Sequence, residues 1–378
     1  MTDQMTALIL QGGGALGAYQ AGVFEQLATH DYTPDWVVGT SIGAINGAII
    51  AGNKPADRVP QLKSFWESLA PTEDWFSAWS PLAWGGAGTL FAPFYSDASK
   101  STAVFSAITN GVNGFFKPKT GGGFDLGASV PIGQAGFYDT TPLRQTLLDH
   151  VDFAYLNAGA VRLSVCAVDV ETAEMRIFDT NDSAPLTPEH IMASGALPPA
   201  FPPVMIDGRA YWDGGIYSNS PLEVLLAENR NRDALVFMVD LWDPTEKLPQ
   251  SMAEVMDRQK AIQYSARATQ QLNEQHRIEE LQQAIRALAA ALPPEALKAP
   301  ELAALASKGC DRTVNVVHLI MAALDTDNQF KDVDFSAATV KARWTAGNAD
   351  AARALTHKAW LEPVPPHAGL VIHDLEQQ

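Results

Sequence analysis

Ser41 sits in Gly39-Thr40-Ser41-Ile42-Gly43, a G-x-S-x-G pattern. A serine hydroxyl is a weak nucleophile until a base takes its proton. Upstream lies Gln11-Gly12-Gly13-Gly14-Ala15-Leu16-Gly17. Glycines leave their N–H groups unscreened by side chains, and such donors stabilise the negative oxygen of a tetrahedral acyl intermediate. The two stretches together point to acyl chemistry, with Ser41 attacking and Gly12, Gly13 and Gly14 as candidate oxyanion donors. For the base, the residues alone leave two arrangements open. His318, His357, His367 and His373 follow the serine late enough for a serine–acid–histidine order, but none stands in a distinctive motif. Asp213 ends an apolar run and is followed by Gly214 and Gly215, which permit close approach to a neighbouring backbone. A desolvated carboxylate there gains proton affinity and can take the serine proton directly. His190 precedes a proline-rich loop and reads as structural.

The elements around these residues have the order a nucleophile elbow needs. Apolar Ala7-Leu8-Ile9-Leu10 leads into the glycines and Trp36-Val37-Val38 leads into Ser41. A helix-compatible run follows each, giving strand, turn and helix twice over. Small residues recur in both helices, at Ala18, Ala21, Gly22, Gly43, Ala44, Gly47 and Ala48, and favour close packing. Residues 161–170 and 234–242 read as buried strands, 174–178 as a hairpin partner, and 187–194 as a capped helix. Asp207-Gly208 predicts a hairpin turn between 204–206 and 210–212. Strands alternating with helices predict an α/β fold with a mostly parallel central sheet flanked by helices in three layers. The main domain is expected over residues 5–245.

Within it, residues 75–137 are rich in Trp, Phe, Gly, Ser and Pro and lack clear periodicity, the profile of a lid-like insertion over a lipid-sized site or, equally, of an irregular piece of core. Residues 246–378 form a C-terminal extension, expected to be helical with a late strand at 313–320 returning to the main domain. Ile278, Leu281, Ile285, Leu288 and Leu292 make one helical stripe, expected to pack on the main domain.

Acidic residues exceed basic ones, 43 against 26, for a formal net charge of −17. This disfavours nucleic acid, whose phosphates need a basic face. Cys166 and Cys310 are the only cysteines and suit buried thiols rather than a disulfide framework. The first glycine run lacks the Gly-Lys-Ser/Thr ending of a phosphate-binding loop. No secretory leader and no membrane-spanning stretch is evident, so the expectation is a cytoplasmic protein, with transient contact to membranes or lipid droplets.

The glycine run, the Ser41 motif, Ala193-Ser194-Gly195-Ala196-Leu197-Pro198-Pro199-Ala200-Phe201-Pro202-Pro203 and Asp213-Gly214-Gly215 together resemble the patatin-like phospholipases over about residues 5 to 245. The tail resembles the C-terminal extension of a bacterial subfamily. The resemblance implies Ser41 as nucleophile, Asp213 as its only catalytic partner and an oxyanion hole at Gly12–Gly14. It implies hydrolysis of acyl esters of phospholipids, lysophospholipids or neutral lipids, with no metal or organic cofactor. One position departs from the pattern. Leu16 stands where the family usually has Arg or Lys, and no Lys or Arg precedes Lys54. This weakens the expectation of a phospholipid head group more than that of ester hydrolysis. Acyl transfer to an alcohol or thiol, or depolymerisation of a storage polyester, would use the same dyad. A non-catalytic lipid-binding or interaction protein on the same scaffold is the alternative of a different class. Leu16 favours it, while the intact Ser41 and Asp213 oppose it.

Overall fold

The apolar runs that bracket the two glycine motifs become neighbouring strands. In the computed structural model, which describes residues 4–70, 107–119, 129–229, 232–324, 330–364 and 368–374, β1 (Met5–Leu10) lies parallel to β2 (Trp36–Thr40). A small antiparallel ribbon, β3 (Lys117–Pro118) with β4 (Tyr138–Asp139), stands apart. The remaining strands are β5 (Arg162–Asp169), β6 (Met175–Asp179), β7 (Val204–Ile206), β8 (Arg209–Asp213), β9 (Ala234–Asp240), β10 (Val314–Ile320) and β11 (Leu370–Asp374). They complete a nine-stranded sheet in the order β11-β10-β9-β1-β2-β5-β8-β7, with β6 also on β5. The five pairings from β11 to β5 are parallel, and those of β6, β7 and β8 are antiparallel.

Side chains alternate across a strand, so a sheet covered on both faces makes two cores. Leu8, Leu10, Val37 and Leu163 join one core, beneath α1 (Ala18–Thr29) and α2 (Ile42–Ala51). Ala7, Ile9, Val38 and Cys166 join the other, with Leu222, Leu225 and Leu226 of the helix Leu222–Glu228. The result is the expected α/β architecture of helix, mostly parallel sheet and helix. The hairpin β7–β8 turns at Asp207 and Gly208, both with positive φ. Cys166 and Cys310 are buried thiols that form no disulfide.

The C-terminal part is built into this frame. Strands β10 and β11 extend the sheet beyond β9. The helix Ala337–His357 crosses α1 at very short range. A Cβ on Gly22 would stand 2.0 Å from the Trp344 carbonyl oxygen, and one on Gly347 would stand 2.1 Å from the Tyr19 carbonyl oxygen. The small residues of α1 thus serve a helix more than 300 positions away. The Tyr19 hydroxyl donates to Asp350 at 2.8 Å across the same contact.

The apolar stripe at 278–292 does not pack on the main domain as expected. In the long helix Met252–Ala291, Leu281 and Leu288 are 63% and 71% exposed and Ile278 is also exposed, as is Leu292 just beyond its end. The buried face carries Ala261, Ser265, Ala268, Leu272, Glu279 and Gln283 instead. Small residues let this face approach the sheet, and Glu279 pairs with the buried Arg312 just ahead of β10. A polar residue with a buried partner displaced leucines that have none.

At the joint of β9, β10 and β11, His318 lies between two carboxylates. Its Nε2 is 3.0 Å from Asp240 and its Nδ1 is 3.0 Å from Asp374. Burial disfavours the charged imidazolium, but the two carboxylates outweigh burial and raise its pKa to about 9. A group with a raised folded pKa stabilises fully below its unfolded value, near 6.5, and loses that contribution as pH climbs through the folded value. His318→Gln should therefore cost ~3 kcal/mol at pH 6, the scale of breaking a buried pair. The gap to wild type should close towards pH 9.5. Chemical denaturation at the two pH values measures it, and a gap independent of pH would show that His318 is neutral in the fold.

Candidate active site

Strand β5 brings the serine and the aspartate together. On one side of it β2 and β8 lie end to end. Thr40 pairs with Cys166, the last register position of β2, and Asp213 pairs with Ala167, the next residue of β5. Ser41 follows Thr40 directly, so one strand edge fixes both residues at the same point. The Asp213 carboxyl is 3% exposed and accepts a hydrogen bond from Gly215 N–H at 2.7 Å, and the Ser41 hydroxyl lies beside it. Burial raises its pKa to about 7, against the opposing pull of those two donors.

Ser41 occupies the turn between β2 and α2 with φ 57° and ψ −123°. A non-glycine residue held there stores ~1–3 kcal/mol, which persists only if the surroundings over-determine it. Several contacts do so. A Cβ on Gly39 would fall 2.4 Å from the Gly43 carbonyl oxygen, and one on Gly43 would fall 2.1 Å from the Leu10 carbonyl oxygen. The elbow glycines are thus the condition for α2 to lie on β1 and β2. The Ser41 N–H donates to Ser194 Oγ at 2.9 Å, and Ser194 donates onward to the Cys166 carbonyl at 2.6 Å. The N-terminus of α2 points its partial positive charge at the serine.

The glycine turn lies against the same point. A Cβ on Gly12 would come within 3.0 Å of Ser41 Cβ. The Gly12 carbonyl accepts from Asn219 Nδ2 and Trp242 Nε1, both at 3.0 Å, and its N–H faces the Asn219 carbonyl at 3.4 Å. Ala15 and Leu16 N–H groups bond the carbonyls of Asp332 and Gly13. The N–H groups of Gly13 and Gly14 have no acceptor among the described residues. Gly14 adopts φ +55°, a left-handed conformation that glycine tolerates, and the Asp332 carbonyl crowds it too closely for a side chain.

Ser41, Asp213 and the three glycines line one cavity of ≈ 210 Å³. Gly214, with Gly215 next to Asp213, packs against Cys166, so the pair seats the aspartate on β5. Of the aromatic-rich stretch 75–137, residues 75–106 and 120–128 lie outside the described residues. Ala107, Ile108, Phe115 and Phe116 line the cavity wall. Lys260, Tyr264, Asp332, Val333 and Phe335 from beyond residue 245 line it as well.

None of His190, His318, His357 and His373 does so. His190 Nδ1 takes part in the cap of its own helix, bonding Thr187 N–H at 3.0 Å. His373 Nε2 bonds Asn315 at 2.9 Å. His367 lies outside the described residues. Leu16 is fully buried in the core, so an apolar contact occupies that position. Among the described residues no cluster of three or more His, Cys, Asp or Glu could hold a metal ion, and no helix is long and apolar enough to cross a membrane.

Sequence reasoning missed the supports. Ser194 stood inside a noted motif, but its hydrogen bond to the elbow is a tertiary fact. Asn219 and Trp242 carried no signal. Beneath the turn, Gln20 Nε2 donates to the Gln11 carbonyl at 2.7 Å, Asn46 Nδ2 to Gln20 at 3.0 Å and Trp66 Nε1 to Asn46 at 3.1 Å. Polar residues in otherwise apolar helices were the only available hint.

A family model described as patatin-like phospholipase matches residues 8–226, and one described as patatin phospholipase matches residues 262–367. The patatin-like phospholipase domain-containing protein ZK370.4 of Caenorhabditis elegans is 26% identical over 225 residues, 60% of this chain and 13% of that protein. The triacylglycerol lipase SDP1L of Arabidopsis thaliana is 37% identical over 62 residues, 16% of this chain and 7% of its own length. The chain thus spans only a small part of these curated relatives. The crystal structure of VipD from Legionella pneumophila aligns over 94% of this chain and 67% of its own, at 12% identity and a TM-score of 0.38.

Ser194→Ala removes the acceptor of the Ser41 N–H and the donor to Cys166. Leaving a buried group unpaired costs ~1–3 kcal/mol. The variant should melt lower than wild type and react more slowly with a fluorophosphonate at Ser41. Wild-type melting and labelling rates together would show that Ser194 does not hold the elbow.

Proposed function

The chain belongs to the patatin-like phospholipase family, and on that premise we propose that it is a serine lipid acyl hydrolase working through a Ser41–Asp213 dyad. The observation that carries the reading is the Ser41 hydroxyl beside a buried Asp213, in a cavity shared with two glycine N–H groups that have no acceptor among the described residues. Ser41 Oγ attacks the ester carbonyl carbon and its proton passes to Asp213. The carbonyl oxygen becomes an oxyanion, held by the N–H groups of Gly13 and Gly14, while Gly12 positions the turn through its bonds to Asn219 and Trp242. The tetrahedral centre collapses, the carbonyl reforms and the carbon–oxygen bond to the alcohol breaks. Asp213 returns the proton to the departing alkoxide. Water then attacks the acyl-serine, Asp213 accepts its proton, and the second collapse releases the acid and returns that proton to Ser41. One carboxyl serves as base and acid in turn because its pKa lies near neutrality.

The substrates are acyl esters of phospholipids, lysophospholipids or neutral lipids. Phe115, Phe116, Phe201 and Phe335 give the cavity an apolar wall suited to an acyl chain.

Ser41→Ala should abolish fluorophosphonate labelling and ester turnover in a folded protein. Asp213→Asn should lower turnover by about three orders of magnitude, the scale of losing a catalytic base. Near-wild-type turnover in the second variant would sink the dyad.

The pH dependence follows from the same carboxyl. The base form of Asp213 is populated above about 7, so kcat/KM should fall about tenfold per pH unit below that value and level off above it. Stability should show the opposite sign. A carboxyl whose folded pKa is raised costs stability as pH rises from its unfolded value, near 3.9, to about 7. Asp213→Asn should therefore melt above wild type at pH 8. A flat rate profile from pH 5 to 8, or a lower melting point at pH 8, would contradict a buried, proton-binding Asp213.

A further inference from the structure

Two groups of side chains line the cavity. One is aromatic: Phe115 packs on Phe116, Phe201 and Phe335 with ring centroids 5.7, 6.2 and 5.9 Å apart. The other is polar and comes largely from the long helix Met252–Ala291. Lys260 and Tyr264 stand one turn apart on that helix and both reach the cavity. Trp242 binds them to the glycine turn. Its indole donates to the Gly12 carbonyl at 3.0 Å, its ring stacks on Tyr264 at 5.1 Å, and Lys260 Nζ lies 5.6 Å from its centre.

Both side chains carry hydrogen-bond donors towards the cavity. The Tyr264 hydroxyl has no partner among the described residues. Burial, followed by the nearby Asp213 and Asp332 carboxylates, pushes its pKa up to about 12, so it stays a donor throughout the working range. Lys260 is the only Lys or Arg among the described residues that line the cavity. It pairs with Asp332, which takes one of its three N–H groups and balances its charge. This end of the cavity is therefore rich in donors and carries no net positive charge.

We propose that Lys260 and Tyr264 form a subsite for the leaving alcohol of the ester, selecting uncharged alcohols that carry further oxygen atoms. The subsite rests on the serine hydrolase reading above. An alcohol bearing hydroxyl or ether oxygens accepts from the ammonium and the phenol, while the acyl chain lies on the aromatic wall. A simple alkyl alcohol leaves both donors unpaired, which a site built around them penalises. An anionic phosphate alcohol would meet Asp332 and Asp213 beside its one cation. The substrates favoured are thus monoacyl esters of polyols.

The test compares kcat/KM for 1-octanoylglycerol, propyl octanoate and 1-octanoyl lysophosphatidate, using the full chain. The first two share an acyl chain and a three-carbon alcohol and differ in the hydroxyls. The ratio within one preparation cancels any loss of folded enzyme. One hydrogen bond contributes about fivefold net, so with two the wild type should favour the glycerol ester on the order of 20-fold. Tyr264→Phe and Lys260→Met should each lower that ratio about fivefold, and the double variant should bring it near unity. Lys260→Arg keeps the donors and should keep most of the ratio. A wild-type ratio near unity, or one that survives the double variant, overturns the subsite and leaves the hydrolase reading standing. Lysophosphatidate cleaved tenfold better than the glycerol ester overturns the neutral assignment. If wild type cleaves none of the three, the subsite fails. Fluorophosphonate labelling of Ser41 then shows whether the hydrolase reading fails with it.

Discussion

The edge of one strand, β5, is the constraint on which the rest depends. Two strands of opposite direction share that edge end to end, β2 against Arg162–Cys166 and β8 against Ala167–Asp169. Their ends meet, and the residues at that meeting point are Ser41 and Asp213. Neither residue needs a long side chain to reach the other, because backbone pairing has already placed them. The short span lets Asp213 stay buried beside the half-buried Ser41, and burial is what raises the aspartate's proton affinity. A slip of one residue in β8 would turn Asp213 to the opposite face of the sheet.

Strain at the serine is held by contacts that close around it. Gly39 and Gly43 let α2 lie directly on the first two strands, so the turn has no room to relax. Ser194 takes the Ser41 N–H, and its own hydroxyl proton goes to β5, the same strand that holds Asp213. The buried chain of Gln11, Gln20, Asn46 and Trp66 fixes the floor beneath the glycine turn with bonds of 2.7–3.1 Å. Buried polar groups of this kind are costly when unpaired, so each residue constrains the next.

The C-terminal part is a structural member of the site. It continues the sheet with β10 and β11, grips α1 through paired glycines and sends Lys260, Tyr264, Asp332 and Phe335 into the cavity wall. The Asp332 carbonyl holds Ala15 N–H at 2.8 Å, immediately after the glycine turn. Loss of this part would therefore disturb the turn itself, through a main-chain bond that no side-chain replacement supplies. Trp242 has a similar standing, since one indole meets the glycine turn and the long helix at once.

The sequence by itself determined what is local. A strand, a glycine turn and a helix read in order because each depends on residues within a few positions, and so did the hairpin at Asp207-Gly208. The candidate positions Ser41, Gly12–Gly14 and Asp213 could be singled out because a strained turn and a crowded backbone admit few residue types. The three-layer α/β class followed from alternating apolar runs. Only the tertiary structure decided the supports. Ser194, Asn219 and Trp242 are common residue types whose contacts span from about 150 to 230 positions. The purpose of Gly22 depended on a helix near the chain's other end. The stripe at 278–292 misled because periodicity shows that a helix has an apolar face, not which face finds a partner. Glu279 and Arg312, an ion pair invisible to any apolar pattern, chose the other one.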